Sequence, residues 1–478
     1  MYSLTKKEVS VREFIYLFAI LLTFITIQVF IVNSFSRYAI LFELFFILFL
    51  ISVIMYLDFL KDFSIFLLII TFLPLLLLNN DFHYDFNLEL ISFIPLFILF
   101  LFAIFTYFLN EKSFSFNVGY LELPVILIGI FWGISALFGI FSGRNGTWIL
   151  IEFFHICLYL SIIPVSYLIK KREKYLVILK ILILISILIS VEYLIYDLYL
   201  VNGRFVTFQS GFMPLAIGVV FAYFLFSKHV VKKFGTIFVL GILIAGTFVT
   251  LTRTLWIITT LVLILTYLIY VKLNNKLNFI RIASLIIILI TSSLVFKGST
   301  QHVQAKSVVL QSVKYRTGSI SNPLEDSSFL MRIEFGYYAI QRFLEKPIWG
   351  SGLGDYLKYK IVFVSNLPNY YTDSSWLYFL WKGGAIGFLL FLWLYIRFFK
   401  GAYFVSKNSR DVRVKYICVG LLAGFIGLSF LAFLSPILIK YKTNALIAFL
   451  FAYVEYERNL LLKGDIKTNT KTLLDNSE

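Results

Sequence analysis

Cysteine is nearly absent from this sequence: only Cys157 and Cys418 occur, and both fall inside long apolar runs. A disulfide framework and a thiolate metal site are therefore excluded. The sequence also lacks a Walker P-loop, an HExxH helix and paired Cys/His metal spacings. A soluble-type ATPase and a zinc hydrolase thus have no visible site, and neither a metal nor a cofactor is expected. Charge is scarce at 14% of 478 residues, and acids are scarcer than bases, 26 against 42. The net charge of +16 would point to nucleic acid in a soluble protein. Here most Lys and Arg lie in short connections between apolar runs, where they set orientation, so no nucleic-acid partner is expected.

What is abundant is apolar. Hydrophobic residues make up 60% of the chain and aromatics 19%, with a mean hydropathy of +0.90, which excludes an ordinary soluble domain. Runs long enough to cross about 30 Å of hydrocarbon as helices recur from residue 14 to residue 454. Backbone groups within lipid must be satisfied inside their own helix, so strands are set aside. The expected fold is an all-α polytopic membrane protein with about fourteen transmembrane helices. They fall near 14–33, 38–57, 62–78, 88–109, 120–141, 147–169, 175–198, 208–226, 234–252, 255–271, 277–296, 374–399, 415–433 and 436–454. The first run is too long for a signal-peptide core and has no small-residue cleavage site, so it reads as a retained span.

Assigning alternate connections to the cytoplasm gathers Lys6, Lys7, Arg12, the KKREK run at 170–174, Lys228, Lys232, Lys233, Lys272, Lys276, Arg281 and the basic segment 397–415 on one side. The short connections opposite hold only Arg37, Arg144, Arg204 and Arg253, and the one at 79–87 is acidic. The positive-inside rule then places both termini in the cytoplasm. Four regions follow: helices 1–11 over 1–296, an extracytoplasmic loop over 297–372, helices 12–14 over 373–457, and a polar tail over 458–478 expected to be disordered. A loop of that length in a compact membrane protein is usually functional or a linker. Within it, MRIEFGYYAIQRFLEKP at 331–347 repeats its apolar residues at three and four. That spacing predicts an amphipathic helix ended by Pro347, and GSGLGDY at 350–356 predicts a turn.

Arginines at outer helix mouths run against the orientation rule, and Arg204, Arg253 and Arg332 are all placed there. An anion explains them, because a guanidinium holds phosphate oxygens bidentately and cannot deprotonate, which suits a pyrophosphate carried on a lipid. Snorkelling, or pairing with Glu192 or Asp197, is the structural alternative. Asp373 is the acid at the outer start of the span after the loop, in DSSWLYFLWKGGAIG. It suits a general base, or a helix cap together with Ser374 and Ser375. Gly383, Gly384 and Gly387 predict close helix packing. The GSGLG turn is an anion nest or a plain glycine turn. His155 reads as a helix contact, and Glu122, Glu152 and Glu192 as intramembrane acids without an assigned partner.

These segments together resemble a known family. The TRTLW arginine at an outer helix mouth, the loop carrying MRIEFGYYAI and then EKPIWGSGLGDY, and finally DSSWLYFLWKGGAIG are similar to the bacterial O-antigen ligase and O-antigen polymerase (Wzy) superfamily over residues 200–395. The ligase motif is His, then Asn, Ser or Gln, nine residues, Gly, two residues and Gly. Ser374, Gly384 and Gly387 keep that spacing, and Asp373 stands in the histidine's place. The resemblance implies a GT-C-type glycosyltransferase of the bacterial cytoplasmic membrane. It acts at the extracytoplasmic face on glycans linked to undecaprenyl pyrophosphate, without nucleotide sugar or metal. Arg253 and Arg332 would bind the pyrophosphate, Asp373 would orient or deprotonate the acceptor hydroxyl, and Arg204 would assist in binding. Ser374 lies beside that base, and Tyr370, Tyr371 and Trp376 are placed to stack on sugar faces, although an interfacial aromatic belt predicts the same residues. Loss of the histidine favours a polymerase over a ligase. The implied partners are the lipid-linked glycan, membrane lipids and a chain-length regulator. A lipid-linked oligosaccharide flippase is the alternative from another class, but its charges belong near mid-membrane.

Overall fold

The computed structural model describes residues 119–168, 172–199, 212–228, 230–250, 252–274, 327–357 and 370–475. Among these residues there are eleven α-helices and two 3-10 turns, and no strand. The helices are α1 (Glu122–Phe141), α2 (Gly146–Cys157), α3 (Ile162–Leu168), α4 (Arg172–Tyr199), α5 (Met213–Phe226), α6 (Val230–Val249), α7 (Arg253–Asn274), α8 (Ser327–Glu345), α9 (Ser375–Asn408), α10 (Val412–Leu431) and α11 (Tyr441–Asp475). Of these, α1, α7, α9 and α10 are long and apolar enough to cross a membrane, and α2, α4, α5 and α6 contain shorter apolar stretches. The spans expected before residue 119 and over 277–296 lie outside the described residues, as does Arg204.

Helices with little polar surface must pack by close approach, and small residues permit it. Gly218 of α5 faces Gly420 of α10, where a methyl on either glycine would strike the other helix's backbone. Gly427 of α10 similarly admits Val262 of α7. Helix α9 sits between α1, α8, α10 and α11, and its aromatic side is buried deeply. Phe379 stacks on Phe391 at 3.8 Å and Phe398 on Phe451 at 4.0 Å.

The single span expected over 147–169 is instead broken into α2, a 3-10 turn at Leu158–Ser161, and α3. Pro164 has no N–H to continue the ladder, which accounts for a break just upstream. Backbone groups freed by such a break need protein partners; α11 supplies one to the His155 carbonyl, and the Tyr159 side chain in the turn ties the break to the segment ahead of α11. Asn444 Nδ2 donates to the His155 carbonyl at 2.7 Å, and Tyr159 OH donates to the Leu438 carbonyl at 3.1 Å. The tail expected to be disordered is helical as far as Asp475. Leucine and lysine, both good helix formers, continue the turn pattern of α11 there and outweigh the polar composition.

Among the described residues, the basic connections 170–174 and 397–415 meet at one end of the bundle. Arg172 grips Glu457 with two bonds of 2.6 and 2.7 Å and reaches Asp411 at 3.4 Å. At the same end Glu455 accepts the Tyr120 and Leu121 N–H groups at 2.7 and 3.2 Å, and Glu122 accepts from Gly119 N and Ser166 Oγ. Glu122 and Glu455 thus satisfy the amides of the segment leading into α1, at the end where acids complement the helix dipole. Arg144, Asp355 and Asp373 occupy the opposite end.

Candidate functional site

Helix α9 contains one residue that is not helical. Gly384 has φ 62° and ψ −163°, a combination costly for any residue with a Cβ. The glycine turn expected at 350–356 docks into this kink. Ser351 N donates to the Trp381 carbonyl at 2.9 Å and Gly352 N to the Lys382 carbonyl at 2.8 Å. In return Ala385 N and Ile386 N donate to the Pro347 and Ile348 carbonyls at 2.8 and 3.3 Å. The loop therefore replaces the ladder bonds that the kink removes, the condition on which broken helices are tolerated within a membrane. A Cβ on Gly350 would strike the Gly384 amide, and one on Gly384 would strike Gly350 N and the Ile348 carbonyl. The expectation of simple helix packing holds for Gly383 and Gly387, which face Trp132 and Phe131 of α1. For Gly384 it is replaced by this backbone exchange.

Beneath the loop lies an ion pair that the sequence reading did not assemble. Lys382 Nζ meets Glu152 Oε1 at 2.7 Å, and both side chains are fully buried. Lys382 also donates to the Asp355 carbonyl and lies 4.3 Å from the centre of the Trp381 ring. Glu152 Oε2 accepts the Gly354 N–H at 2.6 Å, and Asp355 Oδ2 accepts the Trp381 indole N–H at 2.8 Å. Arg144 Nη1 and Ser135 Oγ hold the Leu353 carbonyl and amide at 3.0 and 3.2 Å. Every strong electrostatic group here is consumed in fixing residues 350–355, so the turn is no open anion nest. The signal was available in the sequence: Lys382 is a base in the interior of a predicted span, where ionisable residues pair or face the bundle interior.

Nine residues earlier, the mouth of α9 is arranged differently. Ser374 is its N-cap, accepting the Leu377 N–H at 3.3 Å and donating to the Ala432 carbonyl at 3.4 Å. Ser375 Oγ joins the next connection by donating to Ser435 O and accepting Leu438 N, both at 3.0 Å. Capping is thus performed by Ser374, and Asp373 is not needed for it. The Ser374 hydroxyl is thus engaged within the protein on both its donor and acceptor sides. The half-buried Asp373 carboxylate instead faces Arg332 of α8, with Nε 3.6 Å from Oδ2. That Nε is buried without a hydrogen-bond partner. Partial desolvation raises the Asp373 pKa above the ordinary aspartate value, against the lowering pull of Arg332 and Lys440.

The other expected residues are placed as follows. Arg253 opens α7. Tyr371 is partly buried, 6.5 Å from the His155 ring and 6.1 Å from Tyr378. Tyr370 stacks on Trp148 at 4.3 Å. Trp376 is only 7% exposed, donates its indole N–H to the Ser429 carbonyl at 2.9 Å, and packs among Phe379, Phe388 and Tyr395. The exposure expected of Trp376 is not met, because its position one residue into α9 turns it toward α10 rather than to the mouth. Among the described residues no cluster of His, Cys, Asp and Glu is arranged to hold a metal.

Fold and site together define a helical, polytopic membrane protein with a loop-clasped broken helix and an Arg–Asp pair at that helix's mouth. Residues 238–392, about a third of the chain, match the family model Wzy_C, O-Antigen ligase. Over this segment the chain is similar to the O-antigen ligase family. The segment contains Arg253, Arg332, the glycine loop, Asp373 and the kink. No curated protein matches the chain.

Proposed function

We propose that this protein is a glycosyltransferase joining undecaprenyl-pyrophosphate-linked repeat units into a surface polysaccharide. It works at the extracytoplasmic face of the bacterial cytoplasmic membrane, with its termini in the cytoplasm. The observation that carries this reading is the Arg332–Asp373 pair: a guanidinium with an unused buried N–H beside a carboxylate released from capping. Arg332, with Arg253, takes the donor's pyrophosphate, and the arriving anion draws the guanidinium away from Asp373. The acceptor hydroxyl then attacks the donor's anomeric carbon and the new glycosidic C–O bond forms. The bond from that carbon to the pyrophosphate oxygen breaks, undecaprenyl pyrophosphate leaves with the electron pair, and Asp373 accepts the hydroxyl proton. The arginines stabilise the charge that develops on the leaving group, and a good leaving group lets a carboxylate suffice as base. Tyr371, beside Asp373, is placed to contact the glycan.

Transfer of finished glycan to a different lipid or protein acceptor is the second reading, favoured by the ligase description of the matched family. Both are tested by incubating the purified protein, in lipid, with one species of lipid-linked repeat unit. A ladder at repeat-unit spacing without a second acceptor is the expected result. Transfer only after a lipid-core or protein acceptor is added would replace polymerisation by ligation. No product in either case, with translocation in vesicles, would overturn both. Arg332→Ala is expected to abolish the ladder while membrane insertion is unchanged.

A further inference from the structure

Helix α8 carries three stripes rather than two. Phe335, Gly336 and Ala339 are buried toward α9. Glu334, Gln341, Arg342 and Glu345 form a polar stripe. Between these lie Leu330, Ile333, Tyr337, Ile340 and Leu344, spaced by three and four and 45 to 60% exposed. A soluble surface seldom leaves so regular an apolar row uncovered.

This row does not stop at the helix end. Trp349, itself 62% exposed, follows it and stacks on Phe131 of α1 at 6.2 Å with the rings 9° apart. The exposed side of α1 continues the surface through Ile130, Ile134, Leu137 and Phe141, and α1 is one of the four helices fit to cross the bilayer. Lys346 lies 5.5 Å over the Phe138 ring, a cation seated at the seam. Exposed apolar side chains of α8 and of a helix fit to cross a membrane are thus joined where Trp349 stacks on Phe131, and the polar stripe of α8 lies on the adjoining face.

We propose that the Leu330–Leu344 stripe is embedded in the lipid of the bilayer leaflet at the site end of the bundle, so that α8 lies in the interface with its polar stripe toward water. Arg332, one position from the stripe on the same helix, is thereby held near headgroup depth, the level at which a lipid-borne pyrophosphate arrives. That last consequence rests on the donor-site reading above. The embedding itself does not.

The test uses the full chain with Cys157→Ala and Cys418→Ala, reconstituted in liposomes and carrying a single nitroxide at Tyr337→Cys, Ile340→Cys or, as a contrast, Gln341→Cys. Power-saturation electron paramagnetic resonance then compares relaxation by oxygen, which partitions into lipid, and by a neutral nickel chelate, which stays in water. The oxygen-to-nickel ratio is expected to be several-fold higher at Tyr337 and Ile340 than at Gln341. Equal ratios at the three positions would place the stripe in water and overturn the proposal. Shielding of Tyr337 and Ile340 from both reagents would also overturn it. Dipolar coupling between labels would then identify a second copy as the cover, and its absence a segment of the same chain. Because the ratio is read without turnover, failure of the glycan chemistry leaves this result standing, and the reverse also holds.

Discussion

A carboxylate engaged in capping a helix has its oxygens directed at backbone amides, so the partner that Ser374 takes from Asp373 decides what the acid is free to do. Because desolvation raises its pKa, the folded protein binds a proton at Asp373 more readily than the unfolded chain does. The stability linked to that proton is present at low pH and lost as pH rises through the raised pKa, so at neutral pH the ionised carboxylate is a net cost. Asp373→Asn is therefore expected to leave the melting temperature unchanged or slightly higher while lowering turnover by about 10²-fold, the low end for a general base. Ser374→Ala should behave in the opposite way, losing about 1 kcal/mol of stability as caps do. Thermal unfolding and ladder formation on the same two preparations separate these cases, and equal loss of both properties in Asp373→Asn would refute the assignment. A base must be ionised, so activity falls as pH drops through the Asp373 pKa. Lys440 lowers that pKa, and Lys440→Gln should move the acid limb of the pH–rate profile to higher pH; an unmoved limb would point to a different base.

Helix α9 and the loop before it form one element in terms of hydrogen bonding, although about twenty residues separate them in the chain. Gly384 and Gly350 both adopt positive φ, at 62° and 71°, and face each other. Gly384→Ala and Gly350→Ala each add left-handed strain of about 1–2 kcal/mol and a backbone collision. Both should lose the folded, monodisperse protein, whereas Gly133→Ala on α1, where a Cβ meets nothing, should not. Size-exclusion profiles in detergent read this directly. The Glu152–Lys382 pair behaves by the same logic of mutual dependence. Removing one member of a buried pair typically costs about 3–5 kcal/mol because the other charge is left uncompensated, while replacing both is far milder. Lys382→Met is thus expected to melt well below the double variant Glu152→Gln/Lys382→Met, and a double variant no better than the single would show that the pair acts independently of charge.

At the scale of the whole molecule, composition made the helical class legible, since lipid admits few backbone solutions. The helix of 327–345 was legible from its spacing, and so was the position of Asp373 just before a helix start. What remained hidden were pairings between residues far apart in the chain. Glu152 and Lys382 each sit in an apolar run with nothing nearby to name a partner, and the carbonyl at the break is met by Asn444, almost 300 residues on. Gly384 carried a helix-packing signal because a glycine spacing looks the same whether the neighbour is a side chain or a strand of loop. Trp376 shows the converse: its sequence position is at the mouth, and only the rotation of α9 turns it inward.

The loop-clasped kink also bears on how this protein can be rebuilt. The segment 238–392 that carries the family match includes both halves of the clasp, but much of what holds it in place comes from elsewhere: Glu152, Arg144 and Ser135 from the helices upstream, and the Ala432 carbonyl and Ser435 downstream. It is not an interchangeable module. A chimera receiving a relative's version of this stretch would inherit a lysine and a row of amides whose counterparts lie in the recipient's own helices. Exchange should succeed only when α1, α2 and the α10–α11 connection travel with it, which makes inheritance of those contacts, rather than likeness within the matched segment, the criterion for choosing crossover points.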